Sequence, residues 1–156
     1  MKQLILSLTL ALLAGITSCS AKGDEVKEDE AQQHEEMTQQ RLQITVGNRV
    51  LTARLYDNAT TRSFIAQLPL TVDMDDYAGA EKIFYPNPKL STTERNAVSD
   101  PAIGDINCYA PWGNIAIFYR GYGTDSQLYT LGHIESGKEK LAEMRDNFTA
   151  VIERVD

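Results

Sequence analysis

The sequence predicts a mainly β domain with two short helices, whose strands close, or nearly close, into a barrel. Three observations carry this expectation. Apolar and polar residues alternate with period two through residues 42–46, 50–56, 70–74, 106–109, 115–119 and 128–134. Hairpin signals, Gly47-Asn48 and Pro111-Trp112-Gly113-Asn114, fall between such runs, and only residues 58–68 and 136–144 have a helical signature. A chain of many short strands must deal with its sheet edges, and closure removes them.

In chain order, residues 42–46 and 50–56 form an antiparallel pair about Gly47-Asn48. Asp57, Asn58 and Thr60 offer cap oxygens to a helix whose apolar face is Phe64, Ile65 and Leu68, and Pro69 stops it. Leu70, Val72 and Met74 make a strand, residues 75–79 turn, and residues 81–85 make another strand ended by Pro86. A long polar loop, 87–101, is read either as the rim of a site or as a surface insertion. Residues 104–123 are the centre of the domain, two apolar strands meeting at a corner that holds the only tryptophan. After the strand 128–134, Ser136-Gly137-Lys138-Glu139 reads as a capping box for a helix that turns Leu141 and Met144 inward, and 148–155 closes the sheet.

Two segments precede this domain. Met1-Lys2 and the apolar run 4–16, too short to span a bilayer comfortably, have the make-up of a secretory signal. The run ends in Ile16-Thr17-Ser18-Cys19, which resembles the bacterial lipobox and implies cleavage before Cys19 and acylation of that cysteine. An ordinary signal peptide with a chance cysteine is the alternative. Residues 20–40 set seven acids against two lysines and contain only Val26 and Met37 as larger apolar residues, the composition of a solvated tether. The expected organisation is a signal peptide over 1–18, a lipidated Cys19 with an acidic tether over 19–41, and the folded domain over 42–156. The expected location is the bacterial envelope, at the outer membrane or cell surface rather than the inner membrane, with the membrane itself a partner through Cys19. Asp24-Glu25 loosely resembles a surface-export signal, and His34 reads as solvated.

The folded part carries fifteen acids and eleven bases without a basic stripe, which excludes nucleic acid as a partner on electrostatic grounds. With Cys19 acylated, Cys108 lacks an intrachain partner and reads as a small buried hydrophobe. No close Cys/His cluster, phosphate loop or nucleophile elbow occurs, so no cofactor or metal is expected. Asp73, Asp75 and Asp76 lack the glycine and distal glutamate of a calcium loop.

Residues Asn58-Ala59-Thr60-Thr61-Arg62-Ser63-Phe64-Ile65-Ala66-Gln67-Leu68 resemble the first helix of cyclophilins, and Leu131-Gly132-His133-Ile134-Glu135-Ser136-Gly137-Lys138-Glu139-Lys140-Leu141 resembles the stretch before their second. Leu55-Tyr56-Asp57-Asn58, Asp76-Tyr77-Ala78-Gly79, Gly104-Asp105-Ile106 and the segment from Pro111 to Tyr119 are similar to motifs of the small bacterial cyclophilin-like proteins. The resemblance covers 42–156 and implies a cyclophilin-like closed eight-stranded barrel capped by two short helices. It does not carry prolyl isomerase activity with it. Where cyclophilins have the arginine that weakens amide resonance at the prolyl bond, this chain has Ile83-Phe84-Tyr85, and neither Arg95 nor Arg120 sits in a matching motif.

Tyr85, Trp112, Phe118, Tyr119, Arg120 and Tyr122 are the candidate binding residues, an aromatic groove suited to a small ligand or an extended peptide, with Arg120 available to a carboxylate. Set against this, Phe118 reads as barrel core, Trp112 as packing under its corner and Arg120 as a stem over apolar surface. His133 and Asp105 read as structural, Asp105 fixing a turn. A non-enzymatic binding domain is the leading expectation. A divergent peptidyl-prolyl isomerase and a structural module with a vestigial groove are the alternatives.

Overall fold

The computed structural model describes residues 37–94, 100–123 and 125–155; the expected signal peptide, Cys19, His34 and Arg95 lie outside them. Eight strands and two short helices follow in order: β1 (Met37–Val46), β2 (Arg49–Tyr56), α1 (Ala59–Ile65), β3 (Leu70–Tyr77), β4 (Glu81–Phe84), β5 (Asp105–Tyr109), β6 (Asn114–Phe118), β7 (Leu128–Ser136), a 3-10 helix (Lys138–Glu143) and β8 (Phe148–Val155). The strands close in the order β1-β2-β7-β5-β6-β4-β3-β8, every pair antiparallel. β1 starts five residues before the expected edge of the domain, Met37 lying opposite Tyr56.

Period-two alternation decides what fills the barrel. Leu42 and Ile44, Leu51, Ala53 and Leu55, Ile106 and Cys108, Ile115 and Ile117, and Ala150 and Ile152 form one continuous core, joined by Phe64 from α1 and by Leu141 and Met144 from the 3-10 segment. Each large side chain so buried contributes about 1.5–3 kcal/mol. Cys108 is 1% exposed, and burial pushes its thiol up to about 11 despite the nearby Lys89. It packs as a hydrophobe.

Helix α1 is held by Asn58. Its Oδ1 accepts from the Thr61 backbone N–H at 2.8 Å, and its Nδ2 donates to the Thr130 carbonyl of β7 at 2.9 Å. The described part of the loop after β4 is tied to this helix: Glu94 accepts from the Ala59 N–H at 2.7 Å, Gln67 donates to the Pro88 carbonyl, and Leu90 is buried in the core.

Two local expectations are corrected. β3 continues through Tyr77 instead of turning from Asp75, because Asp76 faces Lys82 across β4 and the turn is made by Ala78 and Gly79 at positive φ. The capping box does not form. Ser136 Oγ lies 2.6 Å from Thr52 Oγ1 of β2, Gly137 takes a left-handed conformation, and a 3-10 helix without a side-chain cap follows.

Candidate functional site

β4 presents Glu81 and Ile83 to the outside of the barrel and Lys82 and Phe84 to its interior. On the outer face, Glu81 lies opposite Phe118, Ile83 opposite Ala116, and Tyr109 opposite both Asn114 and Leu128. Ile83, Ala116, Phe118 and Leu128 make a second apolar cluster there, with Tyr109 packed against it. A sheet buried on both faces explains why every residue of β6 is buried.

The corner between β5 and β6 folds over this outer cluster. The Gly113 N–H donates to the Tyr109 carbonyl at 2.8 Å, and Gly113 sits at φ 74°, a turn that carries Trp112 back over the sheet. The indole stands edge-on between Tyr77 and Tyr109, with ring centroids 5.4 and 5.5 Å away. Tyr122, after β6, lies 5.3 Å from the Phe118 ring. Together these groups enclose a cavity of about 190 Å³ lined by Tyr77, Glu81, Tyr109, Trp112, Asn114, Phe118, Tyr122 and Leu128.

Two residues in this lining, Glu81 and Asn114, are polar and nearly buried. Glu81 is 6% exposed and makes no hydrogen bond or ion pair to a described residue; desolvation pushes its carboxyl up to about 7. Asn114 is 2% exposed and its Oδ1 has no partner among the described residues. The Tyr122 hydroxyl is shifted upward by burial, with the charges of Glu81 and Asp125 adding to it, so it is neutral near pH 7. Pocket walls of this kind are apolar with a few convergent polar groups.

Of the candidates named from sequence, the fold brings Trp112, Phe118 and Tyr122 together in this cavity. Phe118 is fully buried and forms its floor on the outside of the sheet, so it is not barrel interior. Tyr119 is a correction. Phe118 belongs to the outer cluster, whereas Tyr119, just past the end of β6, packs against the barrel core. Its hydroxyl turns inward and donates to Asp76 Oδ1 at 2.5 Å, and burial together with that carboxylate pushes it up to about 12. Tyr85 is 57% exposed just past β4 and is not in the lining. Arg120 is exposed and outside the lining as well, its guanidinium beside the Gly79 turn.

Tyr77, Glu81, Tyr109, Asn114 and Leu128 were not singled out in the sequence. The signal for Glu81 was present: Glu81-Lys82 opens a short strand, and alternation commits one of two neighbouring charges to each face. Lys82 is the inward one, fully buried, with its Nζ 2.6 Å from Asp76 Oδ1, donating to the Met144 carbonyl and lying over the Tyr119 ring. Burial works against charge on Asp76, but hydrogen bonds from Lys82 and Tyr119 hold its carboxyl below the usual range.

His133 and Asp105 form a separate pair. His133 Nδ1 lies 2.7 Å from Asp105 Oδ1, and Asp105 Oδ2 accepts from the Ala102 N–H, fixing the turn before β5. No group of three metal-ligating side chains occurs among the described residues.

The family model described as "Cyclophilin-like family" matches residues 44–153. A hypothetical protein of Archaeoglobus fulgidus with a solution structure superposes with a TM-score of 0.61 at 20% identity, over 78% of this chain and 99% of that one, a likeness of fold. No curated protein matches. By the extent of the family match, and with the closed eight-stranded barrel that goes with it, this chain belongs to the cyclophilin-like family.

Proposed function

We propose that this protein is a non-catalytic binding domain that takes a small ligand or an extended peptide segment in the outer-face cavity. The observation that carries the reading is the lining itself: five aromatic side chains, one leucine and two buried polar side chains, with no arginine among them. Binding needs an apolar floor and a few oriented polar groups, and these are present. Prolyl isomerisation of the cyclophilin type needs a guanidinium directed at the prolyl nitrogen, and Arg120 stands outside the cavity. The acidic tether and the Cys19 motif support a lipid-anchored location in the bacterial envelope.

A protease-coupled proline isomerisation assay on the full chain tests the non-catalytic reading. The expected rate is that of the uncatalysed peptide. Acceleration that disappears in Arg120→Ala would replace this reading with a divergent isomerase.

A further inference from the structure

We infer that the outer-face cavity recognises an alkylammonium cation, the group at the end of a lysine side chain or a free aliphatic amine, through the Glu81 carboxylate and the surrounding aromatic rings. The inference rests on the binding reading above and names the ligand's chemistry. Asn114 Oδ1 is buried without a partner, its amide nitrogen facing the Ile115 carbonyl, and the Glu81 carboxyl beside it makes no hydrogen bond to a described residue and is an acceptor when ionised. The lining also holds the aromatic residues Tyr77, Tyr109, Trp112, Phe118 and Tyr122, and an aromatic ring attracts a cation placed over its face. A guest that satisfies this set brings N–H donors and positive charge. An anion would leave Asn114 Oδ1 unpaired and would be repelled by an ionised Glu81.

Size agrees with this assignment. A cavity of 190 Å³ holds the volume of roughly six waters, enough for an aminobutyl chain and too little for a bulky folded ligand. Leu128 and Phe118 supply apolar contact for the methylenes, and the exposed rims of Trp112 and Tyr122 leave the entrance open. Lys82 cannot neutralise Glu81, because it points to the opposite face of the sheet and is engaged by Asp76.

The charge on Glu81 gives the inference a sign. The ionisable groups in the lining beside it are the Tyr77, Tyr109 and Tyr122 hydroxyls, with Asp125 acting on Tyr122 from outside and the exposed Arg120 guanidinium near Gly79, outside the lining. Empty, the cavity holds Glu81 half-protonated near pH 7, and a bound cation draws it to the carboxylate. Affinity therefore falls about tenfold for each pH unit below 7 and levels off above it. A neutral ligand that accepts a hydrogen bond from protonated Glu81 would show the opposite slope.

The test uses the only tryptophan, Trp112, which lies in the cavity wall and reports occupancy by its fluorescence. The full chain is titrated with n-butylammonium, n-butanol and butyrate at constant ionic strength between pH 5.5 and 8.5. Saturable binding of n-butylammonium, at least tenfold tighter than n-butanol, with affinity rising with pH and lost by about tenfold in Glu81→Gln, is expected. A lysine-containing tripeptide that binds more tightly than n-butylammonium assigns the cation to a peptide; equal binding assigns it to a free amine. If n-butanol binds as well as n-butylammonium, or affinity rises on acidification, the cation assignment falls while the binding reading stands. If none of the probes, the tripeptide included, perturbs Trp112, both fall. The wild-type pH slope decides the matter even if Glu81→Gln does not fold.

Discussion

Glu81 and Lys82 are neighbours in sequence, both buried, and they point to opposite sides of one sheet. Lys82 is met by Asp76, the Met144 carbonyl and the Tyr119 ring, whereas no described side chain hydrogen-bonds or ion-pairs with Glu81. A buried charge with partners belongs to the architecture. A buried carboxyl that borders an aromatic cavity without one is a cost to the fold, and such costs collect at functional sites.

The cost of Glu81 is measurable as pH-dependent stability. Its folded-state value, about 7, lies above the ordinary 4.5, so between these values the folded state binds more protons than the unfolded one. Stability from this group is thus full below about pH 4.5 and declines as pH rises to 7. Glu81→Gln is expected to gain on the order of 1–3 kcal/mol above pH 7 and to flatten the profile between pH 4.5 and 7, measured by urea unfolding. A loss of stability above pH 7 would show that an ionised Glu81 is satisfied in the fold.

Asp76 and Lys82 should behave as a coupled pair. Asp76→Ala strands the fully buried Lys82 ammonium and is expected to cost about 3–5 kcal/mol. Lys82→Met costs less, since Asp76 keeps some solvent and the Tyr119 hydroxyl. The double variant recovers most of the Asp76→Ala loss, which a double-mutant cycle detects. The folded-state value of Asp76 lies below its ordinary 3.8, so the stability from its carboxylate is present above that pH and is lost as pH falls below it.

Gly132 is expected to be intolerant of any side chain. An added Cβ would lie 2.3 Å from the Arg54 carbonyl oxygen and 3.0 Å from Leu55 Cα, both backbone atoms of β2. Gly132→Ala should therefore part β2 from β7, with a loss of several kcal/mol or no folded protein, read by thermal unfolding.

Asn58→Ala removes the N-cap of α1 and the hydrogen bond to Thr130 together and is expected to cost about 2–3 kcal/mol. Asn58→Asp keeps an acceptor for Thr61 but not the donor to Thr130, and should recover about half. Equal losses in the two variants would assign the whole effect to the β7 contact.

Lipid anchoring is tested directly. Expressed in a bacterial host with labelled palmitate, the chain is expected to take up label and sediment with membranes, and Cys19→Ala to do neither. Label retained in Cys19→Ala would remove the lipidation assignment.

Much of the fold was legible in the chain because its signals are local. Alternation in residues 42–56, the cap oxygens at 57–60, of which Asn58 supplies the cap, and the Pro111-Trp112-Gly113-Asn114 corner each act over a few residues, and the elements form where they indicate. The failures were non-local. Ser136 looked like a cap, but Thr52 from β2 takes its hydroxyl, and Asp76 looked like turn, but Lys82 holds it in β3.

The cavity was half legible for the same reason. Trp112, Phe118 and Tyr122 lie within one stretch of chain and announced themselves as aromatic. Tyr77 and Glu81 reach the cavity only because β4 pairs with β6, a register no local pattern encodes. By itself the sequence determined which residues alternate and that its folded part carries an excess of acid. Closure of the barrel alone decided which of two adjacent charges would be neutralised and which left facing an open aromatic cavity, since burial and partner are properties of the packed sheet.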